Sequence, residues 1–513
     1  MSIFNKQNRQ PAQSIGSLTF INPFLERRIE TERTILGGEF VPLQTVWNVE
    51  PSVTSDNENV RRIRVLAEEI ARGARENLVL GKSPTGDELE IYERLIQYVV
   101  YYRYEESFYD YIIALTGAGN STAKAPSFSK FKSETEYFFD FSPIKSELQY
   151  SKEHLFALLF QLRRAFHYTF RHILGGSLAA AKLRAAAWQS IVTHDVRRYM
   201  RSLYDQMHSL TTLITGPSGT GKELVASAIG LSRYIPFDPK TGTFTEDFRD
   251  TFHPLNLSAI APTLIESELF GHCKGAFTGA TSQSHGFLDN KGPFHTVFLD
   301  EIGDVDTSIQ VKLLRVLQSR EFYRVGDRVP RHFGGKIIAA TNQSLADEIQ
   351  AGRFRSDLYY RLCSDIIETA PLKDQVRDDP DGLRSIIAQI ARRLIDDTEC
   401  EAIADNVFDW IQESLGPAYP WPGNVRELEQ CVHNFLVRGE YHPLIQSSVS
   451  PLEHLVDDFK AGRLGVDELV SSYITVVYSK AGQLQQTARK VGLDRRTVKA
   501  RLDLELLKKL KSE

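Results

Sequence analysis

Cysteine is scarce in this chain. Its 513 residues hold four, Cys273, Cys363, Cys400 and Cys431, and none forms a C-x-x-C pair. Four scattered cysteines exclude a disulfide framework and fit a reducing, cytoplasmic compartment. Long apolar runs are missing too. The Leu/Ala-rich stretch 154–192 is broken by Arg163, Arg164, Arg171, Lys182 and Arg184, so no membrane span is expected. The first residues, MSIFNKQNRQPAQS, lack the apolar core of a secretory signal. A net charge of -5 excludes a uniformly basic, nucleic-acid-coating protein but leaves room for one basic domain. There is no internal repeat and no long low-complexity tract. What remains is an ordinary globular composition, long enough for about three domains.

Residues 1–55 read as extended and loop-rich, with a short alternating run at Phe40–Trp47. Helical spacing follows over 58–118, first with Val60, Ile63, Val65, Leu66 and Ile70, then with Tyr92, Leu95, Ile96, Tyr98, Val99 and Tyr102. TGAGNSTAKAPS (116–127) reads as a loop, and helical signals resume from about 145 to 210. From 211 apolar runs alternate with amphipathic helices, the rhythm of a parallel α/β sheet. The runs are Leu213-Ile214, Val297–Leu299 and Ile337–Ala340. A helical region at about 382–437, a linker at 438–462 and a basic helical end piece at 463–513 complete the chain.

TLITGPSGTGKE (212–223) is an apolar run, a glycine-rich turn and a helix start. The spacing Gly216-x4-Gly221-Lys222 fits a phosphate-binding loop, in which backbone N–H groups wrap phosphates and the lysine reaches the β and γ positions. The alternative is a glycine-rich surface loop. Glu223 stands where the general motif has a Ser or Thr that binds magnesium. HTVFLDEIGDV (295–305) then runs a buried strand into Asp300-Glu301. Such a strand delivers two carboxylates to the sheet edge where ligands bind. Asp300 is placed to hold magnesium through water and Glu301 to polarise an attacking water. An isolated Asp-Glu pair also starts helices.

These motifs resemble the AAA+ ATPase domain of sigma-54-dependent transcriptional activators, the bacterial enhancer-binding proteins, over about 190–437 and again over 463–505. ESELFGHCKGAFTGA (266–280) carries the GAFTGA signature. GTGKE (219–223) is that family's own phosphate-loop variant. QVKLLRVLQSREFYRVGD (310–327), AATN (339–342), GRFRSDLYYRL (352–362) and WPGNVRELE (421–429) follow in order. The resemblance implies an α/β fold, with a parallel sheet and helical lid. A mainly helical N-terminal domain precedes it and a small all-α helix-turn-helix domain follows. The boundaries read as 1–185 regulatory, 186–375 ATPase core, 376–437 lid, 438–462 linker and 463–513 DNA-binding.

By the same resemblance ATP sits on Gly216, Pro217, Ser218, Gly219, Thr220, Gly221, Lys222 and Glu223, with Mg2+ on Asp300. Asn256 would hydrogen-bond Glu301. Thr341 and Asn342 would sense the γ-phosphate, with Arg426 as a second sensor. Arg355 and Arg361 would reach into the neighbouring subunit's site, although a surface salt bridge is the commoner role of any one arginine. Gly275, Ala276, Phe277, Thr278, Gly279 and Ala280 would contact sigma-54 RNA polymerase; the alternative is a loop folded onto its own domain. Three departures stand out. Cys273 replaces the usual Glu. Residues 236–255 look like an insertion whose Thr/Phe alternation fits a hairpin. APLKDQVRDDPDGL (370–383) departs from the family's pattern.

GQLQQTARKVGLDRRTVKARL (482–502) reads as helix, turn, helix. Leu484, Ala488, Val491, Leu493, Val498 and Leu502 would form its core and Asp494 would cap the second helix. That helix would offer Arg495, Arg496, Thr497, Lys499 and Arg501 to a major groove. The segment resembles a Fis-type domain, which implies dimeric binding of double-stranded DNA; a solvated basic helix pair is the other reading. No phosphoacceptor receiver pattern is present in the front third. Its tyrosine-rich helix fits a core or a ligand pocket. Together these features imply a homo-oligomeric, hexameric ATP-hydrolysing activator with no membrane partner. The alternative is a nucleotide-gated DNA-binding regulator that does not act on sigma-54.

Overall fold

The computed structural model describes residues 2–42, 57–116, 125, 127–140, 151–379, 382–395, 397–443, 455, 456, 459 and 464–511. The linker reading at 444–454, most of the 116–127 loop, and the last five residues of the Phe40–Trp47 run lie outside the described residues. None of the described helices is long and apolar enough to cross a membrane. Contacts divide the chain into two compact units, 1–408 with 423–429, and 409–422 with 430–513.

In the first unit five parallel strands form the expected α/β sheet: β1 (Thr212–Thr215), β2 (Phe252–Asn256), β3 (Thr296–Asp300), β4 (Lys336–Thr341) and β5 (Asp365–Glu368). The order across the sheet is β5-β1-β4-β3-β2. Alternation along a strand sends successive side chains to opposite faces. Leu213, Val297, Leu299, Ile337 and Ala339 join one core, and Ile214, Phe298, Ile338, Ala340 and Ile367 join another. The first face is covered by Ile265–Phe270 and Thr307–Ser319, whose Leu269, Ile309 and Leu313 lie in the same core.

The second face is covered by the helix after the glycine-rich loop, Lys222–Gly230, and then by the N-terminal helices. These are α1 (Arg9–Leu18), α2 (Glu26–Leu36), α3 (Glu58–Val79), α4 (Gly86–Thr116), α5 (Phe128–Phe139), α6 (Lys152–His172) and α7 (Leu178–Val192). The Lys222–Gly230 helix is designated α8. Helix α6 lies along α8. Gln161 donates to the Ser232 carbonyl at 3.0 Å, and the buried Arg164 donates to the Arg233 carbonyl. Helix α7 reaches the sheet itself, where Ser190 and Thr212 share a hydrogen bond of 3.0 Å.

The Thr/Phe segment after α8 is a hairpin, as its alternation predicts, with Phe237 opposite Phe244 and Asp238 opposite Thr243. Its rings enter an aromatic cluster on α6. Phe156 lies 4.7 Å from Phe237, and Phe160 4.5 Å from Phe244, between ring centroids. Such pairs add about 0.5–1.5 kcal/mol beyond their area. Arg249 ties the same segment to the Leu115 carbonyl of α4 at 2.8 Å.

The extended reading of 1–55 is corrected by α1 and α2. In α1, Ala12, Ile15 and Leu18 form a buried face packed on α4. Pro11 falls in the first turn, where a missing N–H breaks no helix bond. The tyrosine-rich stripe is core: Tyr92, Leu95, Ile96, Tyr98, Val99 and Tyr102 are all buried. Val65 departs from its stripe and is exposed, because α3 turns Ala67, Ala71 and Ala74 inward instead.

In the second unit, helices Val466–Ala481, Leu484–Val491, Arg495–Ala500 and Leu504–Lys511 close around Ile474, Ala488 and Val498, with Leu484, Val491 and Leu502 partly buried against them. Leu493, expected in that core, is exposed. It sits in the turn after Gly492, and its N–H closes the preceding helix on the Ala488 carbonyl.

Truncating the fully buried Phe156 tests the aromatic clamp. Phe156→Ala is expected to cost about 3–5 kcal/mol, and Val79→Ala, at an exposed position of α3, to stay within about 0.5 kcal/mol. Urea unfolding followed by tryptophan fluorescence measures both.

Candidate functional site

Parallel strands place their C-terminal ends on one edge, so residues at those ends meet. The register sets Thr215 beside Thr341 and Glu368, and Asn256 beside Asp300. The glycine-rich loop leaves β1 at this edge and folds back into α8. Lys222 is buried at the start of α8, and its Nζ donates to the carbonyls of Gly216 at 2.9 Å and Pro217 at 3.1 Å. Burial pushes its amine below the usual lysine range, while Glu301 and Asp300 pull the other way.

Two positions in the loop leave no room for a side chain. A Cβ on Gly216 would lie 2.1 Å from the Thr369 hydroxyl. On Gly219, whose φ is +76°, it would lie 2.3 Å from the Gly423 carbonyl. Both contacts show what holds the loop from outside. Thr369 follows β5 and bonds the Thr220 hydroxyl at 2.6 Å and the Thr215 carbonyl at 3.1 Å. The GNVRE stretch closes from the other side. Asn424 donates to the Ser218 carbonyl at 2.9 Å, and the Val425 N–H to the Gly219 carbonyl at 3.0 Å. Arg426 reaches the Ser218 hydroxyl at 3.5 Å. Thr369 and Asn424 escaped the sequence reading.

Asp300 ends β3 and Glu301 follows with φ +55°, a left-handed conformation unusual for glutamate and found at functional turns. Burial raises both carboxyls above their ordinary ranges. The Glu301 carboxylate accepts the Asn342 N–H at 3.2 Å, which opposes that rise. Among the described residues no cation lies within salt-bridge distance of either carboxylate. This half-buried, uncompensated pair fits a divalent cation, with Asp300 as the oxygen ligand.

The expected bond between Asn256 and Glu301 is not made. The Asn256 side-chain oxygen Oδ1 instead caps the turn that follows β2, accepting from the Ser258 N–H at 3.0 Å, the Ser258 hydroxyl at 2.8 Å and the Ala259 N–H at 3.2 Å. An asparagine followed by Ser-Ala makes this local cap available without any partner across the sheet. Thr341 is buried and accepts from the Gln343 N–H at 3.1 Å, so its hydroxyl supports the strand end. Arg355 makes a two-pronged pair with Asp357 at 2.7 and 3.0 Å, and Arg361 is exposed. Neither bonds Lys222, Asp300 or Glu301. Glu223 lies in the first turn of α8, exposed.

The GAFTGA segment is a narrow turn on a short two-stranded base. Gly271–His272 pairs with Ser284–His285, and the Cys273 N–H bonds the Val325 carbonyl at 3.0 Å. The Gly275 N–H reaches the Ala280 carbonyl at 2.8 Å. Phe277 and Thr278 at the tip are exposed, while Ala280 is buried. The Phe277 ring lies 5.0 Å from that of His272, edge to face, at its own base. Below, the buried Arg324 bonds Asp289 at 2.8 and 3.1 Å and so fixes the base.

In the C-terminal helices Arg495, Arg496, Lys499 and Arg501 are exposed. Asp494 caps their helix through the N–H groups of Arg496 at 2.8 Å and Thr497 at 2.9 Å. The Thr497 hydroxyl is spent on the same carboxylate at 2.5 Å, so this residue is half-buried and bound rather than free for a groove.

Residues 189–368 match the family model described as the Sigma-54 interaction domain. Three curated relatives share the region. NtrC, a DNA-binding transcriptional regulator of Rhizobium meliloti (strain 1021), is 45% identical over 226 residues, 44% of this chain and 42% of that protein. The Nif-specific regulatory protein of Azotobacter vinelandii is 38% identical over 256 residues, 49% of this chain and 45% of that protein. ZraR of Klebsiella oxytoca, a transcriptional regulatory protein, is 37% identical over 299 residues, 57% of this chain and 63% of that protein. The chain thus spans about half the length of the curated relatives it matches. A crystal structure of NtrX from Brucella abortus aligns at 23% identity over 75% of this chain and 80% of that one, with a TM-score of 0.38. The sheet order, with helices on both faces, establishes a parallel α/β core, and the family match over 189–368 lies on it. A helical N-terminal region precedes it and a helical C-terminal part follows.

The close approach of the GNVRE stretch is testable. Gly219→Ala forces Gly423 away and is expected to weaken binding of a fluorescent ATP analogue by at least about tenfold. Gly242→Ala, at a hairpin tip with φ +72° and nothing within 4 Å, carries the same backbone strain and is expected to leave binding unchanged.

Proposed function

We propose that this chain is an ATP-hydrolysing activator of sigma-54-dependent transcription. It binds double-stranded DNA through its C-terminal helices and works as a ring of identical subunits, six by family resemblance. The observation that carries the reading is the convergence of Lys222, Asp300 and Glu301 at the sheet edge of a sigma-54 interaction domain.

Each residue then has a task. The loop amides and Lys222 hold the phosphates of ATP, whose oxygens replace the Gly216 and Pro217 carbonyls as partners of the lysine. Asp300 would hold Mg2+, which would supply charge neutralisation to the phosphates. Glu301 accepts a proton from the water that attacks the γ-phosphate, and the Asn342 N–H fixes its carboxylate. Arg426 lies over Ser218, close to the phosphate loop. Arg355 and Arg361 serve the adjacent subunit. The Arg355–Asp357 pair is exposed, and exchanging it for a phosphate costs little because water already screens a surface pair.

Phe277 and Thr278 are the contact with the sigma-54 polymerase. An exposed ring on a narrow, fixed base offers apolar area at low entropic cost. Arg495, Arg496, Lys499 and Arg501 supply the charge that neutralises DNA phosphates.

Two substitutions separate the engine from the grip. Glu301→Gln is expected to lower ATP turnover by at least about 10²-fold with ATP affinity retained. Phe277→Ala is expected to keep ATPase activity and lose open-complex formation in a reconstituted sigma-54 transcription assay. Full transcription with Phe277→Ala would remove the loop from the mechanism.

A further inference from the structure

Residues of α1, α2, α4, α6 and α7, with Val60 of α3, line a partly open cavity of about 90 Å³ in the N-terminal region. Ile21, Ile29, Tyr101, Leu162, Phe166 and Trp188 give it apolar and aromatic walls. Three charged residues also line it, Arg28, Glu32 and Glu105, and the first two are spent on each other. Arg28 donates to Glu32 at 2.6 Å, to the Leu18 carbonyl at 3.2 Å and to the Tyr102 hydroxyl at 3.0 Å. Glu105, on α4, is 4% exposed, and among the described residues no hydrogen bond reaches its carboxylate. Burial holds it above the usual carboxylate range, opposed by the charges of Arg163, Arg64 and Arg28. An acceptor turned into a cavity without a donor costs stability, more so when it is charged. Such a group calls for a partner.

We propose that this cavity binds a short aliphatic molecule ending in a hydroxyl or ammonium group, which donates its O–H or N–H to Glu105. Size sets the length. A cavity of about 150 Å³ takes benzene, so 90 Å³ suits about three to five non-hydrogen atoms. Chemistry sets the end group, because the open position beside the apolar walls is a carboxylate acceptor. The rings of Tyr101, Phe166 and Trp188 add faces that favour an ammonium. Leu162 and Phe166 lie on α6, the helix whose Gln161 and Arg164 hold the residues following α8. Occupancy therefore bears on the element that carries Lys222. That use as an input rests on the ATPase reading, whereas binding itself does not.

Trp188 provides the readout. The full chain is titrated with n-butanol and n-butylammonium, and with 1-fluorobutane, which matches their shape but lacks the donor. Saturable quenching by the two donors is expected, with 1-fluorobutane weaker by about tenfold. In Trp188→Phe the signal disappears while calorimetric binding persists. Glu105→Met weakens both donors by about tenfold and leaves 1-fluorobutane unchanged. If Glu105→Met fails to fold, Ile29→Phe fills the cavity from its rim and is expected to abolish binding. The proposal is overturned by no saturation with either donor, the result if water alone occupies the cavity. Equal affinity for 1-fluorobutane, unchanged affinity in a folded Glu105→Met, or retained binding in Ile29→Phe would overturn it as well.

Discussion

The molecule depends on sealing both faces of a parallel sheet. Each strand sends alternate apolar side chains in opposite directions, and neither set tolerates water. One face is sealed by Ile265–Phe270 and Thr307–Ser319. The other is sealed by α8, and α8 is in turn covered by α6 and α7. Ile214, Phe298 and Ile338 therefore share a core with Phe156, Phe160 and Trp188. A helical region that precedes the first strand is thus part of what makes the strands bury, and the strands are what bring Asp300 to the edge beside Lys222.

At that edge the fold holds charges in a half-buried place without pairing them. Lys222, Asp300 and Glu301 are all shifted by burial towards their neutral forms. Glu301 holds a left-handed backbone, and the loop is clamped by Thr369 on one side and Gly423–Arg426 on the other. These arrangements cost stability when the site is alone. Under the proposed function they would fix the carboxylates and the lysine before ATP and Mg2+ arrive, so that little reorganisation is left for the moment of reaction.

The parts of this site that were legible in the sequence are those whose chemistry is local. A glycine-rich turn between strand and helix, and a strand ending in Asp-Glu, signal their geometry within a dozen residues. The hairpin at 237–244 was legible for the same reason, through its Thr/Phe alternation. Thr369 was not, because its place beside Gly216 comes from the pairing of β1 with β5, about 150 residues apart in sequence. The Asn342 contact to Glu301 is made by backbone, which no side-chain motif reports. Asn256 misled because its oxygen has a nearer use at Ser258 and Ala259. Helix α1, inside the stretch read as extended, holds both Pro11 and Gly16. Gly16 is there because a Cβ would lie 2.8 Å from that of Arg94, where α1 and α4 approach closely.

The shared helix α6 also limits what the N-terminal cavity can do. Contact between a cavity wall and α8 is a path, and a path carries coupling only if a ligand prefers one arrangement of α6 over another. A molecule of about five non-hydrogen atoms gains at most about 1.5 kcal/mol per atom. Its differential gain between two arrangements is a fraction of that sum, on the order of a few kcal/mol, or one to two decades in an equilibrium constant. Control from this cavity therefore requires resting and active arrangements that already lie within a few kcal/mol of each other. The buried, well-packed contact of Gln161 and Arg164 with the residues after α8 makes a large displacement of α6 too costly for so small a ligand. A small shift of α6 along α8, within the reach of those two hydrogen bonds, is the movement whose energy fits.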